Sequence, residues 1–275
     1  LAYTDAIRTG DEVLASEINN FIGNYQLKNC DILPKENRKK AEIYYNKSRL
    51  FNRLAPFYAL FGFILIIVQF LRIFKPGRFV SWMFRIGIIH LSVAFGLHTM
   101  ALGLRWYIGG HAPLSNGYES MIFVSWISLL AGLIFVRKSG FAISLTAILS
   151  ALSLLVAHLS WMNPDITNLV PVLKSPWLTI HVTVIMAGYG FLGLSALAGL
   201  INLVFYSIQN RKNSSKIKPV IDQITAVNHM SVIVGLYFLT AGVFLGGVWA
   251  NESWGRYWGW DPKETWALIS VLVYA

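Results

Sequence analysis

Charged residues are scarce in this sequence. Asp, Glu, Lys and Arg make up only 13% of its 275 residues, and 55% are hydrophobic, whereas a soluble domain has roughly 25% charged residues. The composition therefore predicts a protein that crosses a membrane several times and contacts lipid. The net charge of +10 does not predict a nucleic-acid partner, because the basic residues form short clusters between apolar runs, which is typical of membrane topology signals.

Cysteine is almost absent as well. Cys30 is the single cysteine, so these residues cannot form an internal disulfide or a cysteine-based metal cluster, and thiol chemistry would need thiols from a partner. No two histidines have the His-x-x-x-His spacing, which argues against a zinc site made by the chain alone. No signal-peptide pattern precedes the first apolar run, so we expect residue 1 to be a boundary within a longer protein.

Apolar runs dominate what is present. Residues 1–52 are polar and of mixed charge, and they predict a water-facing segment of one or two helices, whereas residues 53–275 predict a transmembrane domain. Six apolar runs are near or above the roughly 18–20 residues of a spanning helix; they are 57–74, 81–104, 117–136, 141–161, 178–208 and 227–248. A seventh begins at Pro262 and is cut off at Ala275. The predicted fold is an all-α polytopic transmembrane bundle with at least six complete spans and a truncated seventh.

The basic residues also predict the orientation. One set of alternate loops is strongly basic, with Asp222 as its acidic residue; it contains Arg72, Lys75, Arg78, Arg85, Arg137, Lys138, Arg211, Lys212, Lys216 and Lys218. The other set balances Arg105, Lys174, Arg256 and Lys263 against Glu119, Asp165, Glu252, Asp261 and Glu264. The positive-inside rule predicts that the first set is cytoplasmic. We therefore expect an inner (cytoplasmic) membrane protein whose N-terminal segment and tryptophan-rich loop face the periplasm or outside.

Five of the ten tryptophans lie between residues 249 and 266, within a predicted loop at 246–266. Trp is bulky, rigid and amphipathic, so the cluster indicates either a flat platform for a planar ligand or an aromatic belt at the membrane interface, and composition leaves both open. Asp261 is predicted to cap a helix that has Pro262 at its first position, with Glu264 reaching back as a capping-box partner.

His181 is the strongest candidate for a metal ligand among the histidines. Ser175 and Pro176 predict a helix start, so His181 lies in the first turns of a helix, where the imidazole is biased toward its neutral, metal-binding form. The alternative is an interfacial histidine that bonds a neighbouring loop. His111 lies in a turn-rich loop on the same predicted face, and His90 lies near mid-membrane, where an ionisable group is a functional candidate. Tryptophans, a neutral imidazole and nearby basic residues together suit a haem.

One segment resembles the tryptophan-rich WWD signature of haem-handling proteins in cytochrome c biogenesis. It reads Trp254-Gly255-Arg256-Tyr257-Trp258-Gly259-Trp260-Asp261-Pro262-Lys263-Glu264-Thr265-Trp266. Its ending is similar to that of the CcsA (ResC) branch of system II, and residues 113–119 and the helix start that carries His181 are further matches. The mixed-charge N-terminal segment resembles the end of the external region of a fused CcsBA-type synthetase.

The resemblance implies a haem lyase of the holocytochrome c synthase type. Haem b would be held on the outer face and joined to the Cys-x-x-Cys-His motif of an apocytochrome c, with a CcsB-like region or subunit as a further partner and membrane lipid around the bundle. His181 would match the first axial ligand of the iron. The second external histidine and a membrane histidine would lie beyond Ala275, which puts activity of this piece on its own in doubt.

The candidate site residues fall into two groups. The main haem-binding group is His181, Trp249, Trp254, Gly255, Arg256, Tyr257, Trp258, Gly259, Trp260, Asp261 and Trp266; the second group is Arg105, His111, Asn116 and Glu119. Two other functions remain open at this point. One is a haem exporter or chaperone that forms no thioether bond, and the other is a transporter of a different hydrophobic solute.

Overall fold

The computed structural model describes residues 2–29, 35–169 and 173–275, and within these ranges it contains α-helices and no β-strand. The helices are α1 (Ala2–Thr9), α2 (Glu12–Asn29), α3 (Glu36–Ser48), α4 (Leu50–Phe74), α5 (Arg78–Gly109), α6 (Gly117–Phe135), α7 (Gly140–Ala157), α8 (Pro176–Ile208), α9 (Ser214–Trp254) and α10 (Pro262–Tyr274). The predicted all-α fold is confirmed. Cys30 lies outside the described residues.

The chain divides into two compact units, residues 1–44 and 45–275. In the first unit, Asp11 Oδ1 accepts a hydrogen bond from the Leu14 N–H at 2.9 Å and so caps the start of α2. The described part of α2 has no buried residue, and it exposes Val13, Phe21 and Leu27. The second unit contains the apolar helices and the candidate site.

Six helical segments are long and apolar enough to cross a membrane. They are Glu36–Phe74, which joins α3 and α4, and Arg78–Gly109, Gly117–Phe135, Gly140–Ala157, Pro176–Ile208 and Ser214–Trp254. Each contains or overlaps one predicted run, so the prediction of at least six spans is confirmed and the chain is a multi-pass membrane protein. The helix α10 occupies the position of the predicted seventh element.

Buried apolar side chains hold the second unit together. One core cluster combines α4, α5, α6 and α7 and includes Leu65, Leu91, Ile122 and Ile143. A second cluster joins α8 to the first turns of α9 through Phe205 and residues such as Ile221. Farther along this pair the backbones approach closely, since a Cβ added at Gly188 would lie 3.0 Å from the Leu239 nitrogen. Small residues at such a contact let two membrane helices pack tightly.

Successive spans run in opposite directions, and this alternation defines one end of the bundle. The segments 110–116, 158–175 and 255–261 connect helices at that end, which we call the tryptophan end. Gly110 ends α5 with φ 73°, and Gly255 ends α9 with φ 70°. Because glycine has no Cβ, it adopts this left-handed conformation without steric cost. The same end therefore collects the starts of α6, α8 and α10.

Candidate functional site

The helix that carries His181 starts as the sequence predicts. Ser175 is the residue before the first turn of α8, and Pro176 occupies the first helical position. The Ser175 hydroxyl, however, makes no bond to the α8 backbone; it donates to Glu252 Oε2 of α9 at 3.1 Å. The start of α8 is thus fastened to the last turns of α9.

His181 faces α9. Its Nδ1 lies 2.7 Å from the carbonyl oxygen of Gly242. A carbonyl only accepts hydrogen bonds, so this contact assigns the proton to Nδ1 and leaves a lone pair on Nε2. Among the described residues Nε2 has no hydrogen-bond partner. This arrangement, with one ring nitrogen held by a backbone carbonyl, is typical of histidines that bind a metal through the other nitrogen.

The tryptophan-rich stretch is partly helical. Because α9 continues to Trp254, only residues 255–261 form a loop between α9 and α10. The Trp249 and Trp254 rings are 6.4 Å apart at 83°, and the Trp258 and Trp260 rings are 5.8 Å apart at 85°. These rings therefore form two edge-to-face pairs, a geometry that aromatic quadrupoles favour. Neither pair is flat by itself, and the haem platform stays a prediction.

Asp261 caps α10 as predicted. Its Oδ1 accepts a hydrogen bond from the Glu264 N–H at 2.9 Å, and Pro262 occupies the first helical position. Glu264 differs from the prediction, because its Oε2 accepts from the Gly259 N–H at 2.7 Å and not from the N–H of Asp261. The intervening Trp260 has φ 57°, and this left-handed turn brings the Gly259 N–H back toward the helix start.

A cavity of about 130 Å³ lies where α8, α9, the loop and α10 meet. It brings together several predicted site residues, and its lining includes His181, Gly246, Trp249, Trp258, Asp261 and Lys263. The volume is smaller than the roughly 300–1,000 Å³ of a typical ligand pocket. A macrocycle would therefore extend beyond the cavity. Trp254, Tyr257, Trp260 and Trp266 do not line the cavity, and they are exposed.

Two hydrogen-bond donors in this site lack acceptors. The Nε1 atoms of Trp249 and Trp258 are buried, and neither has a hydrogen-bond partner among the described residues. A buried donor left without a partner costs about 1–3 kcal/mol. A ligand that carries acceptor oxygens would supply such partners. Gly255 forms the αL turn after α9, and Arg256 packs its guanidinium against Gly259, since a Cβ added there would lie 3.1 Å from Arg256 Cζ.

The second group of predicted residues forms a separate network at the tryptophan end. Arg105 Nε donates to Glu119 Oε1 at 2.7 Å, and both side chains are almost fully buried. Arg105 also donates to the carbonyl oxygens of Pro164 and Asp165 at 2.7 and 3.0 Å. The Asn116 side chain caps α6 by accepting from the Glu119 N–H. These residues hold loops together and are not among those that line the cavity.

His111 belongs to the same set of loop contacts. Its Nδ1 lies 3.1 Å from the Ala112 carbonyl oxygen, and its Nε2 lies 3.2 Å from that of Thr167. Both ring nitrogens therefore face backbone acceptors within the protein. His98 is similarly enclosed, between the Tyr58 hydroxyl at 3.2 Å and the Ile122 carbonyl oxygen at 3.1 Å.

His90 is exposed on α5. Its Nδ1 lies 2.9 Å from the Ile86 carbonyl oxygen, and its ring stacks on Phe61 at 5.1 Å. It lines an apolar groove between α4 and α5 that is separate from the cavity beside His181.

The sequence did not identify the contacts that orient His181. The contacts of His181 with the Gly242 carbonyl and with Gly246 depend on how α8 and α9 are rotated relative to each other. No local sequence pattern predicts this rotation. The available signal was the spacing of Gly242 and Gly246, one helical turn apart on α9. Such spacing is typical of a helix face that another membrane helix approaches closely.

Comparison with known proteins gives a consistent result. Residues 114–275 match a family model described as "Cytochrome C assembly protein". Protein NrfI of Wolinella succinogenes is 46% identical over 256 residues, which cover 92% of this chain but only 28% of that relative. The cytochrome c biogenesis protein CcsA of Synechococcus sp. (strain CC9605) is 36% identical over 246 residues, 78% of this chain and 79% of the relative. The CcsA of Guillardia theta is 36% identical over 200 residues, 64% of this chain and 66% of the relative.

Proposed function

The chain belongs to the cytochrome c assembly protein family, and we propose that it is the haem-presenting part of a cytochrome c synthetase. Membership of this family supports a role in cytochrome c maturation. The observation that carries the proposal is the geometry of His181. Its Nδ1 is held by the Gly242 carbonyl, and it lines a cavity shared with Trp249 and Trp258. A neutral imidazole beside indole rings suits the binding of a metalloporphyrin.

The substrate haem has an iron that can bind an imidazole. It also has two vinyl groups that can react with thiols. His181 binds the iron through Nε2 on one side, and the exposed rings of Trp254, Trp260 and Trp266 cover part of the macrocycle. The indole N–H groups of Trp249 and Trp258 and the ammonium of Lys263 donate to its oxygens. Each thiol of the apocytochrome adds across one vinyl double bond, so that a C–S bond and a C–H bond form without net electron transfer.

The contribution of these residues is mainly positioning. Holding two reactants in the right geometry can lower a barrier by roughly 7–11 kcal/mol in favourable systems. Asp261 Oδ1 accepts from the Glu264 N–H, and Glu264 Oε2 accepts from the Gly259 N–H. Both carboxylates therefore stabilise the loop, and proton transfer is not assigned to them.

We assign the tryptophan end to the periplasmic side of the inner membrane, because the basic clusters such as Arg137-Lys138 and Arg211-Lys212 lie at the opposite end. The substrate protein is an apocytochrome c with a Cys-x-x-Cys-His motif, and a CcsB-like region or subunit completes the synthetase. The chain spans less than a third of the length of NrfI, and we propose the synthetase activity for the full-length protein.

The direct test is a His181→Gly substitution in the full-length protein. The purified variant should lose or alter its haem absorption spectrum, and added imidazole should restore it, because free imidazole can replace the missing ligand. His90→Gly is the matched control, since His90 also bonds a backbone carbonyl through Nδ1 but lies outside the cavity; its spectrum should match that of the wild type. An unchanged His181→Gly spectrum would remove His181 from the site.

A haem chaperone that passes haem on without forming thioethers is the second candidate. This function is favoured because Asp261 and Glu264 both accept hydrogen bonds within the loop and at the start of α10. The remaining polar groups of the cavity can bind a ligand, but no acid or base is assigned to a reaction. Co-expression with an apocytochrome c separates the two functions. A synthetase yields cytochrome that keeps its haem stain after denaturation, whereas a chaperone alone yields none.

A further inference from the structure

Two consecutive glycines of α9 lie where α8, α9 and the loop meet. Gly246 and Gly247 both line the cavity beside His181. They contact different neighbours, because successive residues of a helix point about 100° apart. The His181 ring packs against Gly246, and the backbone of the loop packs against Gly247.

The contact at Gly246 is very close. A Cβ added there would lie 2.7 Å from Cε1, 2.9 Å from Nδ1 and 3.3 Å from Nε2 of His181. Distances below 3.0 Å cannot persist without movement of the ring or of the helix. The imidazole therefore rests directly on the α9 backbone, and only glycine at position 246 permits this approach.

The same turn of α9 fixes the rotation of the ring. The Gly242 carbonyl oxygen lies 2.7 Å from Nδ1 of His181. A displaced ring would lengthen this bond, and the proton would no longer be fixed on Nδ1. Outer hydrogen-bond partners of this kind orient a ligating histidine and raise its basicity.

We propose that Gly246 is a positioning residue that sets the direction of the His181 Nε2 lone pair for the iron of the bound haem. This inference deepens the proposed function and rests on it. Gly246 touches no reacting atom and acts through the His181 ring. The neighbouring Gly247 contacts the loop instead, because a Cβ there would lie 3.2 Å from the Tyr257 carbonyl oxygen.

The test compares Gly246→Ala with the wild type in the full-length, haem-loaded protein. The alanine should lower haem affinity by about 10–100-fold, the usual effect of changing an outer partner of a metal ligand. It should also shift the absorption bands and the midpoint potential, because the iron loses a well-oriented imidazole.

Two further glycines control for general effects on stability. Gly96→Ala adds a methyl where nothing lies within 4 Å, and Gly62→Ala adds one 2.8 Å from Ile148 Cγ1 in another part of the bundle. Gly96→Ala should behave as the wild type in every measurement. Gly62→Ala should lower stability while leaving the bands and the potential unchanged. A spectral shift in Gly62→Ala equal to that of Gly246→Ala would overturn the inference.

A double variant keeps the inference testable if Gly246→Ala folds poorly. In a His181→Gly background the ring that meets the new methyl is gone, so His181→Gly/Gly246→Ala should have the same residual haem affinity as His181→Gly when both are measured without added imidazole, which would occupy the place of the ring. A role limited to helix packing predicts additive losses instead, and additivity would refute the proposal. If His181→Gly itself leaves the spectrum unchanged, the proposed function fails; if only Gly246→Ala leaves it unchanged, the positioning role alone fails.

Discussion

At the scale of single residues, Arg105 and Glu119 form a buried ion pair. Their side chains are 1% and 2% exposed at an N–O distance of 2.7 Å. Glu119 Oε2 also accepts from the Ser115 N–H at 2.7 Å. The pair thus connects α5 to the loop at 110–116 and, through the Pro164 carbonyl, to the next loop at the same end.

Breaking this pair should destabilise the protein without abolishing its ligand site. Arg105→Leu leaves a buried carboxylate uncompensated, which typically costs about 3–5 kcal/mol. We expect a lower midpoint of thermal unfolding in detergent, with the haem spectrum of the folded fraction retained because neither residue lines the cavity. Arg105→Leu/Glu119→Leu should recover part of the loss.

An exposed ion pair provides the matched control for that prediction. Lys39 and Glu36 lie 3.9 Å apart with side chains 47% and 68% exposed, and such pairs contribute about 0–1 kcal/mol. Lys39→Leu should therefore leave the unfolding midpoint nearly unchanged. If Arg105→Leu were equally mild, the buried network would have no stabilising role.

At the scale of elements, the start of α10 controls the tryptophan-rich loop. The Asp261 carboxylate caps the helix through the Glu264 N–H, and Glu264 holds the Gly259 N–H of the loop. Trp260 between them has φ 57°, a conformation that costs a non-glycine residue about 1–2 kcal/mol. These hydrogen bonds offset that strain, so the loop conformation depends on the cap.

Substitution of Asp261 separates its capping role from its charge. Asp261→Ala removes the acceptor and should cost about 0.5–2 kcal/mol, with haem content lowered because the loop loses its anchor. Asp261→Asn keeps an acceptor oxygen and should retain both stability and haem content. The measurements are the unfolding midpoint and haem per protein. If Asp261→Asn lowered haem content as much as Asp261→Ala, the negative charge of the carboxylate would itself be required for ligand binding.

Sequence patterns predicted the spans because a membrane requires about 20 apolar residues for each helix. They predicted the helix starts because Asp261-Pro262 and Ser175-Pro176 are local signals, although only Asp261 caps its helix through the side chain. They missed the helical state of Trp249 and Trp254, since the apolar run ends near Val248 whereas α9 continues to Trp254. The perpendicular tryptophan rings, the Arg105 network and the contact of His181 with Gly246 all depend on tertiary packing. Those features could not be read from local spacing.

At the scale of the whole molecule, orientation decides which compartment the site serves. The loop between α8 and α9 contains Arg211 and Lys212, whereas the tryptophan end combines basic and acidic residues. Positively charged loops are retained in the cytoplasm. The structure assigns His181 and the loop at 255–261 to the same end, so one topology measurement tests the compartment of the whole site.

The single cysteine of the sequence makes that measurement simple. In a background of the full-length protein in which Cys30 and any cysteine outside these 275 residues are replaced by serine, Asn168→Cys adds a thiol at the tryptophan end and Lys212→Cys adds one at the opposite end, both at exposed positions. A membrane-impermeant maleimide applied to spheroplasts should label Asn168→Cys, and it should label Lys212→Cys only after permeabilisation. The cysteine-free protein without an added cysteine gives the background. The reverse pattern would move the site to the cytoplasmic side, where it could not meet an apocytochrome c in the periplasm.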